Sequence, residues 1–286
     1  MDEKVRLPKS NLISAAELHD VLGQPDVVVV DGSWYLPTQG RNPLQEFLDR
    51  HIPSAQFFDI DQICDLDSTL PHMVPDTSLF EKKVRELGIN NDSRIVVYDG
   101  AGIFSAPRVW WLFRLFGHTR IRVLNGGLPQ WLDKGYDTEV AVQKPGIGNF
   151  TANPDMTRVA TMEDMRKNAQ LNDSLVLDAR SYPRFVGEAP EPRAELPSGH
   201  MPNSKSLAFT ELLEGGKFRD VADLGAVLRS RGASKSNSII TSCGSGVTAA
   251  VITLALDECG FGLQRLYDGS WTEWASHSDN PIVKQS

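Results

Sequence analysis

Cysteine is scarce in this sequence. Three cysteines occur among 286 residues, at positions 64, 243 and 259, without paired spacing. An odd number this small excludes the disulfide framework of a small secreted domain and indicates a reducing compartment, for which the cytoplasm is the default. The absence of paired ligand spacing also argues against a metal centre. Thiol chemistry would therefore depend on free cysteines.

Excess positive charge and long apolar runs are missing as well. Lys and Arg number 29 against 37 Asp and Glu, which gives a net charge of −8. An acidic surface repels phosphate backbones and anionic lipid, so we expect neither a nucleic acid nor a membrane partner. Apolar runs such as residues 27–30 fall far short of the ~20 residues that span a bilayer. We expect no signal peptide and no transmembrane helix.

What the sequence does contain is an internal repeat within an ordinary globular composition, 41% hydrophobic. Four landmarks occur twice in the same order, at offsets between 143 and 149 residues. The landmark pairs are Asp31 and Asp178 after an apolar strand, His51 and His200 before an apolar residue and Pro, Asp99 and Cys243 after a second strand, and Trp131 and Trp274 in a Gly-containing segment. The chain therefore carries two copies of one structural unit.

Each copy alternates short apolar strands with segments of helical length, a pattern typical of βα units around a mostly parallel sheet. Between the copies, residues 142–155 are rich in Gly, Pro and Asn, which interrupt helices and strands. We therefore predict an α/β protein of two tandem domains, each a mostly parallel sheet flanked by helices. The domains would cover residues 1–141 and 156–286, with a linker over 142–155.

The sharpest chemical signal is the segment that begins at Cys243 and continues Gly-Ser-Gly-Val-Thr. It lies between a predicted strand and a long apolar helix. Two glycines allow the backbone to curl so that successive N–H groups point into one concavity, and the helix N-terminus adds partial positive charge. Such a loop would stabilise a Cys243 thiolate and so make the cysteine a nucleophile at neutral pH.

Other interpretations of this loop make different demands. A cysteine phosphatase needs an arginine six positions after its cysteine, and position 249 is alanine, so we reject that chemistry. A phosphate-binding loop or a buried structural cysteine stays open from the residues alone. Cys64 and Cys259 are expected to be bystanders, the first in a polar loop and the second at a helix end.

The repeat, with Asp99 where its partner has Cys243, resembles the two-domain rhodanese family, in which only the C-terminal domain keeps the catalytic cysteine. Further segments that resemble the family are residues 57–61, 72–73, 105–111, 191–193, 199–200 and 267–271. The loop Cys-Gly-Ser-Gly-Val-Thr resembles family members that use 3-mercaptopyruvate. Members that use thiosulfate carry basic side chains at its second and third positions.

This resemblance implies a site assembled from both domains. Its catalytic residues would be Cys243 with a proton relay of Ser245, His72 and Asp61. The substrate-binding residues it implies are Arg184 and Arg193, for the substrate carboxylate and ketone, and Gly244, Gly246, Val247 and Thr248, for the anionic sulfur. Without the resemblance, the two arginines fit surface salt bridges equally well, and Asp61 would be taken for a solvated acid.

The activity implied is sulfur transfer from 3-mercaptopyruvate through a Cys243 persulfide, with release of pyruvate. The acceptor would be cyanide or a thiol such as a reduced thioredoxin, and no metal or organic cofactor is needed. Two alternatives stay open: a thiosulfate sulfurtransferase of the same fold, and a non-catalytic sulfur-carrier module in which the loop only holds an anion.

Overall fold

A computed structural model of the protein describes residues 10–284. Its first half holds five strands and five helices. The strands are β1 (Leu12–Ile13), β2 (Val27–Asp31), β3 (Gln56–Phe57), β4 (Arg94–Tyr98) and β5 (Ile121–Leu124). The helices are α1 (Ala15–Val21), α2 (Pro43–Asp49), α3 (Thr77–Glu86), α4 (Ala106–Leu115) and α5 (Gly127–Asp133).

The second half repeats this series and adds a short hairpin. Its strands are β6 (Val159–Ala160), β7 (Ser174–Asp178), β8 (Ser204–Ser206), the hairpin strands β9 (Leu213–Glu214) and β10 (Lys217–Phe218), β11 (Ser238–Ser242) and β12 (Arg265–Tyr267). Its helices are α6 (Met162–Leu171), α7 (Tyr182–Val186), α8 (Val221–Ser230), α9 (Ala249–Glu258) and α10 (Ser270–Ser276).

The two main sheets have the same topology. The first is ordered β1-β5-β4-β2-β3 and the second β6-β12-β11-β7-β8, and all neighbouring strands run parallel. The predicted α/β class with two parallel-sheet domains is confirmed. The central strands β4 and β11 are followed directly by Asp99 and Cys243, so the carboxyl edges where open α/β sheets place their ligands carry the two loops of interest.

Local sequence explains how each half begins. Ser14 accepts from the Glu17 amide while the Glu17 carboxylate binds the Ser14 amide, a capping box that starts α1. Thr161 and Asp164 form the same box at α6. Both boxes satisfy amide groups that the first turn of a helix leaves without partners, which fixes where each helix starts.

The two halves share one core. Helices α4 and α9 are buried on nearly every face, because each packs on its own sheet on one side and on the other helix on the other side. A helix that is apolar all round belongs in such a position. Because α4 and α9 begin directly after the Asp99 and Cys243 loops, this packing brings the first half against the cysteine loop.

The segment between the halves, residues 142–155, forms neither helix nor strand. It packs along the first half: Phe150 is buried in the core, and its amide donates to the Ile89 carbonyl oxygen at 3.3 Å. None of the helices in residues 10–284 has the length and hydropathy needed to cross a bilayer.

Candidate active site

Cys243 directly follows β11, and its side chain is buried, with a relative exposure of 2%. The loop curls at Gly246, whose φ of +78° favours glycine. The Ser270 hydroxyl oxygen accepts from the amides of Cys243 and Gly246, at 3.1 and 3.2 Å. Ser270 thus pins both ends of the turn from the start of α10. The Gly246 amide therefore has a partner within the protein, and the expected contact of Gly246 with an anionic sulfur stays a prediction.

The corresponding loop in the first half shows what this turn holds. The Asp99 carboxylate, fully buried, accepts from the amides of Ala101, Phe104, Ser105 and Ala106, at 2.9, 2.9, 3.0 and 2.9 Å. The turn and the helix N-terminus therefore form an anion cradle, filled by the protein's own carboxylate.

In the second half the cradle has no carboxylate. The amides of Ser245, Thr248 and Ala249 correspond to three of the donors to Asp99, and they donate to no acceptor within residues 10–284. The amides of Gly244 and Val247 likewise donate to no acceptor within these residues, so the expected contacts of Gly244, Val247 and Thr248 with an anionic sulfur stay predictions. The arrangement suits an anion on the Cys243 side chain.

The three predicted relay residues are in contact. His72 Nδ1 lies 3.1 Å from Ser245 Oγ, and His72 Nε2 lies 3.0 Å from Asp61 Oδ1. A carboxylate only accepts hydrogen bonds, so Nε2 carries the imidazole proton and Nδ1 accepts from the Ser245 hydroxyl. The order Asp-His-Ser is that of a general acid–base relay, and it joins the two halves at the cysteine loop.

Asp61 is the most exposed member of the relay, at 58% of its side chain, while His72 and Ser245 are buried. Trp34 donates from Nε1 to both Asp61 oxygens, at 3.1 and 3.2 Å, and its ring packs edge-on against His72. The hydrogen bond from His72 is the largest influence on Asp61 and lowers its pKa, so the carboxyl is ionised at neutral pH.

Arg184 lies beside the cysteine loop. A Cβ placed on Gly244 would be 3.2 Å from Arg184 Nη2. Glu191 Oε2 accepts from Nε and Nη2 of Arg184, which leaves Nη1 without a partner within the described residues. Glu191 is itself fixed by Arg180, at 2.8 Å, and Arg180 by Asp178. This network fixes the orientation of the Arg184 guanidinium beside the cysteine loop.

The Arg193 carbonyl oxygen accepts from the Leu196 amide at 3.0 Å, while its guanidinium forms no hydrogen bond or ion pair with another residue in the 10–284 range. It lines a cleft of about 420 Å³ together with Pro71, next to His72, and Thr272, which binds the Gly244 carbonyl oxygen. Its charge also lowers the pKa of Asp61. Both predicted arginines therefore lie on the rim of the region that holds the cysteine loop and the relay.

The remaining cysteines differ from Cys243 in their surroundings. Cys64 is buried, and its thiol donates to the Asp61 carbonyl oxygen at 3.2 Å. Burial raises the pKa of Cys64, and burial raises that of Cys259 to about 11. Neither thiol ionises readily at neutral pH.

Sequence reasoning missed several groups that support the site. Ser270 appeared only within a matched segment, and nothing in the sequence showed that it holds the loop. Arg108 and Asp268, which form a buried ion pair, were likewise given no role. Trp34 carried no signal that could have connected it to Asp61. These roles depend on contacts between residues far apart in the chain.

Known proteins of the same kind support the architecture. The model of the rhodanese-like domain matches residues 14–134 and 161–277. The chain is 40% identical to a 3-mercaptopyruvate sulfurtransferase of Escherichia coli over 94% of its length and 96% of that protein. It is 39% identical to thiosulfate/3-mercaptopyruvate sulfurtransferase 1, mitochondrial, of Arabidopsis thaliana, over 95% of this chain and 77% of that one.

Among solved structures, a 3-mercaptopyruvate sulfotransferase from Escherichia coli superposes with a TM-score of 0.84 at 37% identity, over 92% of this chain and 99% of that one. Two rhodanese-like domains, of which only the second carries a cysteine in the loop, define a tandem-domain rhodanese. The chain belongs to the family of 3-mercaptopyruvate and thiosulfate sulfurtransferases.

Proposed function

We propose that this protein transfers sulfur from 3-mercaptopyruvate, through a persulfide on Cys243, to a thiol or cyanide acceptor. The observation that carries the proposal is the contact of Ser245 Oγ with His72 Nδ1, because it places a proton relay beside the cysteine. The cytoplasmic location stays a prediction, supported by three free cysteines.

In the first step, Arg184 and Arg193 hold the substrate carboxylate and ketone. Arg184 has its unpartnered Nη1 available for a carboxylate oxygen, since Glu191 occupies the opposite edge. The Cys243 thiolate attacks the substrate sulfur, the new S–S bond forms, and the C–S bond breaks. The bonding electrons of that C–S bond leave on the pyruvate enolate.

The enolate carbon must then be protonated. The proton that was on the substrate thiol reaches this carbon through the Ser245 hydroxyl, while His72 accepts and returns a proton at Nδ1. Asp61 stabilises the imidazolium that forms in passing, because it is ionised and 3.0 Å from Nε2. The products are pyruvate and an anionic Cys243 persulfide, so charge and atoms balance without a redox partner.

The persulfide anion lies where the cradle has open donors, at the amides of Ser245, Thr248 and Ala249. In the second step, an acceptor thiolate or cyanide attacks the outer sulfur, the S–S bond breaks, and the Cys243 thiolate is regenerated. A thiol acceptor becomes a persulfide and cyanide becomes thiocyanate.

The side chains at the loop favour 3-mercaptopyruvate over thiosulfate as donor. Thiosulfate leaves a sulfite dianion, which calls for cations beside the nucleophile, and it needs no proton. Positions 244 and 245 carry Gly and Ser, both uncharged. The relay serves only a donor whose leaving group must be protonated.

Ser245→Ala tests this assignment, because alanine is the residue at the corresponding position 101 of the first domain. We expect kcat/KM for 3-mercaptopyruvate to fall by about 10²-fold, since the proton-carrying hydroxyl is lost, and thiosulfate turnover to stay unchanged. The measurements are pyruvate formation from the first donor and thiocyanate formation from thiosulfate and cyanide.

Alkylation of Cys243 by iodoacetamide serves as the control and should proceed at the wild-type rate in the variant. Equal losses with both donors would contradict the relay. A wild-type protein that binds one labile sulfur but forms no pyruvate would indicate a sulfur carrier instead of an enzyme.

A further inference from the structure

A fully buried ion pair joins the two domains next to the relay. Arg108 lies in α4 of the first domain, and Asp268 follows β12 in the second; their side chains are 0% and 2% exposed. Arg108 Nη1 and Asp268 Oδ1 are 2.6 Å apart. Two charges taken out of water this completely require close mutual contact and further hydrogen bonds.

Two of those further hydrogen bonds go to the backbone around His72. Arg108 Nη2 donates to the His72 carbonyl oxygen at 2.5 Å, and Asp268 Oδ2 accepts from the Val74 amide at 2.6 Å. The ion pair therefore binds the backbone on both sides of Met73. His72 has a φ of +62°, a left-handed conformation that a non-glycine residue adopts only when its surroundings fix it.

The same pair contacts the cysteine loop. Arg108 Nη1 lies 3.5 Å from the Gly246 carbonyl oxygen, and a Cβ on Gly246 would be 3.0 Å from Asp268 Oδ1. Gly246 follows Ser245 directly. One ion pair thus fixes the backbone at both partners of the His72–Ser245 hydrogen bond.

The repeat shows that the rhodanese unit does not need this pair. At the corresponding positions of the other domain stand Ile252 and Asn125. Asn125 accepts from the Phe218 amide and Ile252 is packed in the core, so neither position carries a charge. Each domain carries only one of the two charges, so the pair exists only across the interface and neither domain forms it for its own topology. The pair therefore points to a role beyond the fold of either domain.

We propose that Arg108 and Asp268 are positioning residues that hold His72 Nδ1 against Ser245, so that the relay is assembled across the domain interface. This inference depends on the proposed function of the relay. It predicts that loss of the pair misplaces the imidazole and slows the step that needs a proton, while the cysteine and its cradle still accept sulfur.

The main test compares Arg108→Met/Asp268→Asn with wild type. The double variant removes both charges, because either single change would leave one buried charge without its partner. We expect kcat for 3-mercaptopyruvate to fall by about 10- to 100-fold with little change in KM, and thiosulfate turnover to stay within about 2-fold. Equal losses with both donors would show a merely structural role and overturn the proposal.

A second variant covers failure of the first to fold. Arg108→Lys keeps the charge beside Asp268 but lacks the fork that spans Asp268 and the His72 carbonyl oxygen. We expect the same donor-selective loss, at about 10-fold. Wild-type kcat with 3-mercaptopyruvate in Arg108→Lys would overturn the proposal.

The matched control is Arg114→Met/Asp257→Asn. Arg114 and Asp257 form another ion pair between the domains, at 3.1 Å. This pair lies at the C-terminal ends of α4 and α9, away from the cysteine loop. We expect no change in the ratio of the two donors' turnover. A donor-selective loss here as large as that of Arg108→Met/Asp268→Asn would overturn the proposal, because any weakening of the interface would then have the same effect.

The Ser245→Ala background separates this inference from the proposed function. If the ion pair acts through the relay, adding Arg108→Met/Asp268→Asn to Ser245→Ala should leave kcat for 3-mercaptopyruvate at the value of Ser245→Ala alone. If Ser245→Ala alone leaves 3-mercaptopyruvate turnover intact, the relay itself fails. If Ser245→Ala is slow but Arg108→Met/Asp268→Asn is not, the relay stands and the positioning role is wrong.

Discussion

The loops after the central strands of the two domains share a backbone course but hold different contents. Gly102 and Gly246 both have positive φ, +111° and +78°, at corresponding positions. In the first domain the cradle is filled by Asp99, and in the second the cysteine stands at that position. The comparison teaches that the turn holds a carboxylate through its own backbone geometry, and that the side chain after the central strand, aspartate or cysteine, is what differs between the two cradles.

The side chains that surround the two loops also differ. In the first domain, a Cβ on Gly100 would be 2.3 Å from the Tyr35 hydroxyl, which is held by Arg41 and Glu46. In the second domain, Gly244 faces Arg184 instead. The first loop is closed by side chains that bind each other, whereas the second faces a guanidinium with an edge available to a ligand.

Removing the nucleophile should produce the largest change. We expect Cys243→Ser to lower turnover by about 10⁴-fold or more with either donor, because an alcohol forms no thiolate and holds no persulfide. Mass spectrometry of the wild type after donor addition should show one added sulfur on the peptide with Cys243. Cys64→Ser and Cys259→Ser serve as controls and should load sulfur normally; loss of loading in either would refute the assignment.

The two arginines expected to bind the substrate come next. Position 37, which corresponds to Arg184, is proline. We expect Arg184→Ala and Arg193→Ala each to lower kcat/KM for 3-mercaptopyruvate. Each loss should correspond to about 2–4 kcal/mol of transition-state stabilisation, since each variant removes a charge-assisted contact with the substrate anion. Arg158→Ala, at an exposed ion pair with Asp155, is the control. Normal kinetics in both site variants would mean that the carboxylate binds elsewhere.

Neutralising the carboxylate in the first cradle should affect stability more than catalysis. Asp99→Asn keeps the size of the side chain but removes its charge. The side-chain NH2 group of the asparagine, a hydrogen-bond donor, would then face backbone N–H groups, which are donors as well. We expect a loss of about 2–4 kcal/mol in the free energy of unfolding, because four amides, two of them buried, lose part of their acceptor. Urea denaturation measures this loss. Turnover per folded molecule should match the wild type; a sharp fall would give the first loop a catalytic role.

The smallest effect concerns the residues at the ends of β2 and β7. Asp178 is paired with Arg180, while Asp31 has Ser33 at the corresponding place. Burial raises the pKa of Asp31 to about 6, above the unfolded value of about 3.9. The native state therefore holds this proton more tightly, so the contribution of Asp31 is fully present below about pH 4 and is lost as pH rises through 6.

We compare the free energy of unfolding of Asp31→Asn with that of the wild type at two pH values. We expect the difference, variant minus wild type, to be about 2–3 kcal/mol more positive at pH 8 than at pH 4. Denaturation at several pH values across this window checks the slope. Parallel stability curves for the variant and the wild type would contradict the raised pKa.

The sequence by itself determined much of this protein. Strand and helix periodicity and the nearly constant offset between landmarks were enough for two α/β domains, because both can be found along the chain without knowing its tertiary contacts. The same reasoning found the cysteine loop, since two glycines beside a strand end and a helix start indicate a cradle. Family resemblance added Asp61, His72 and the two arginines, which carry no local signal.

Only the tertiary structure decided how these pieces meet. The packing of α4 on α9 brings His72 of one domain to Ser245 of the other, 173 residues apart in sequence. Within the second domain, the tertiary fold also places the Ser270 hydroxyl where it accepts from the amides of Cys243 and Gly246. A hydrogen bond depends on distance and direction in space, and periodicity along a chain contains neither for residues in different domains.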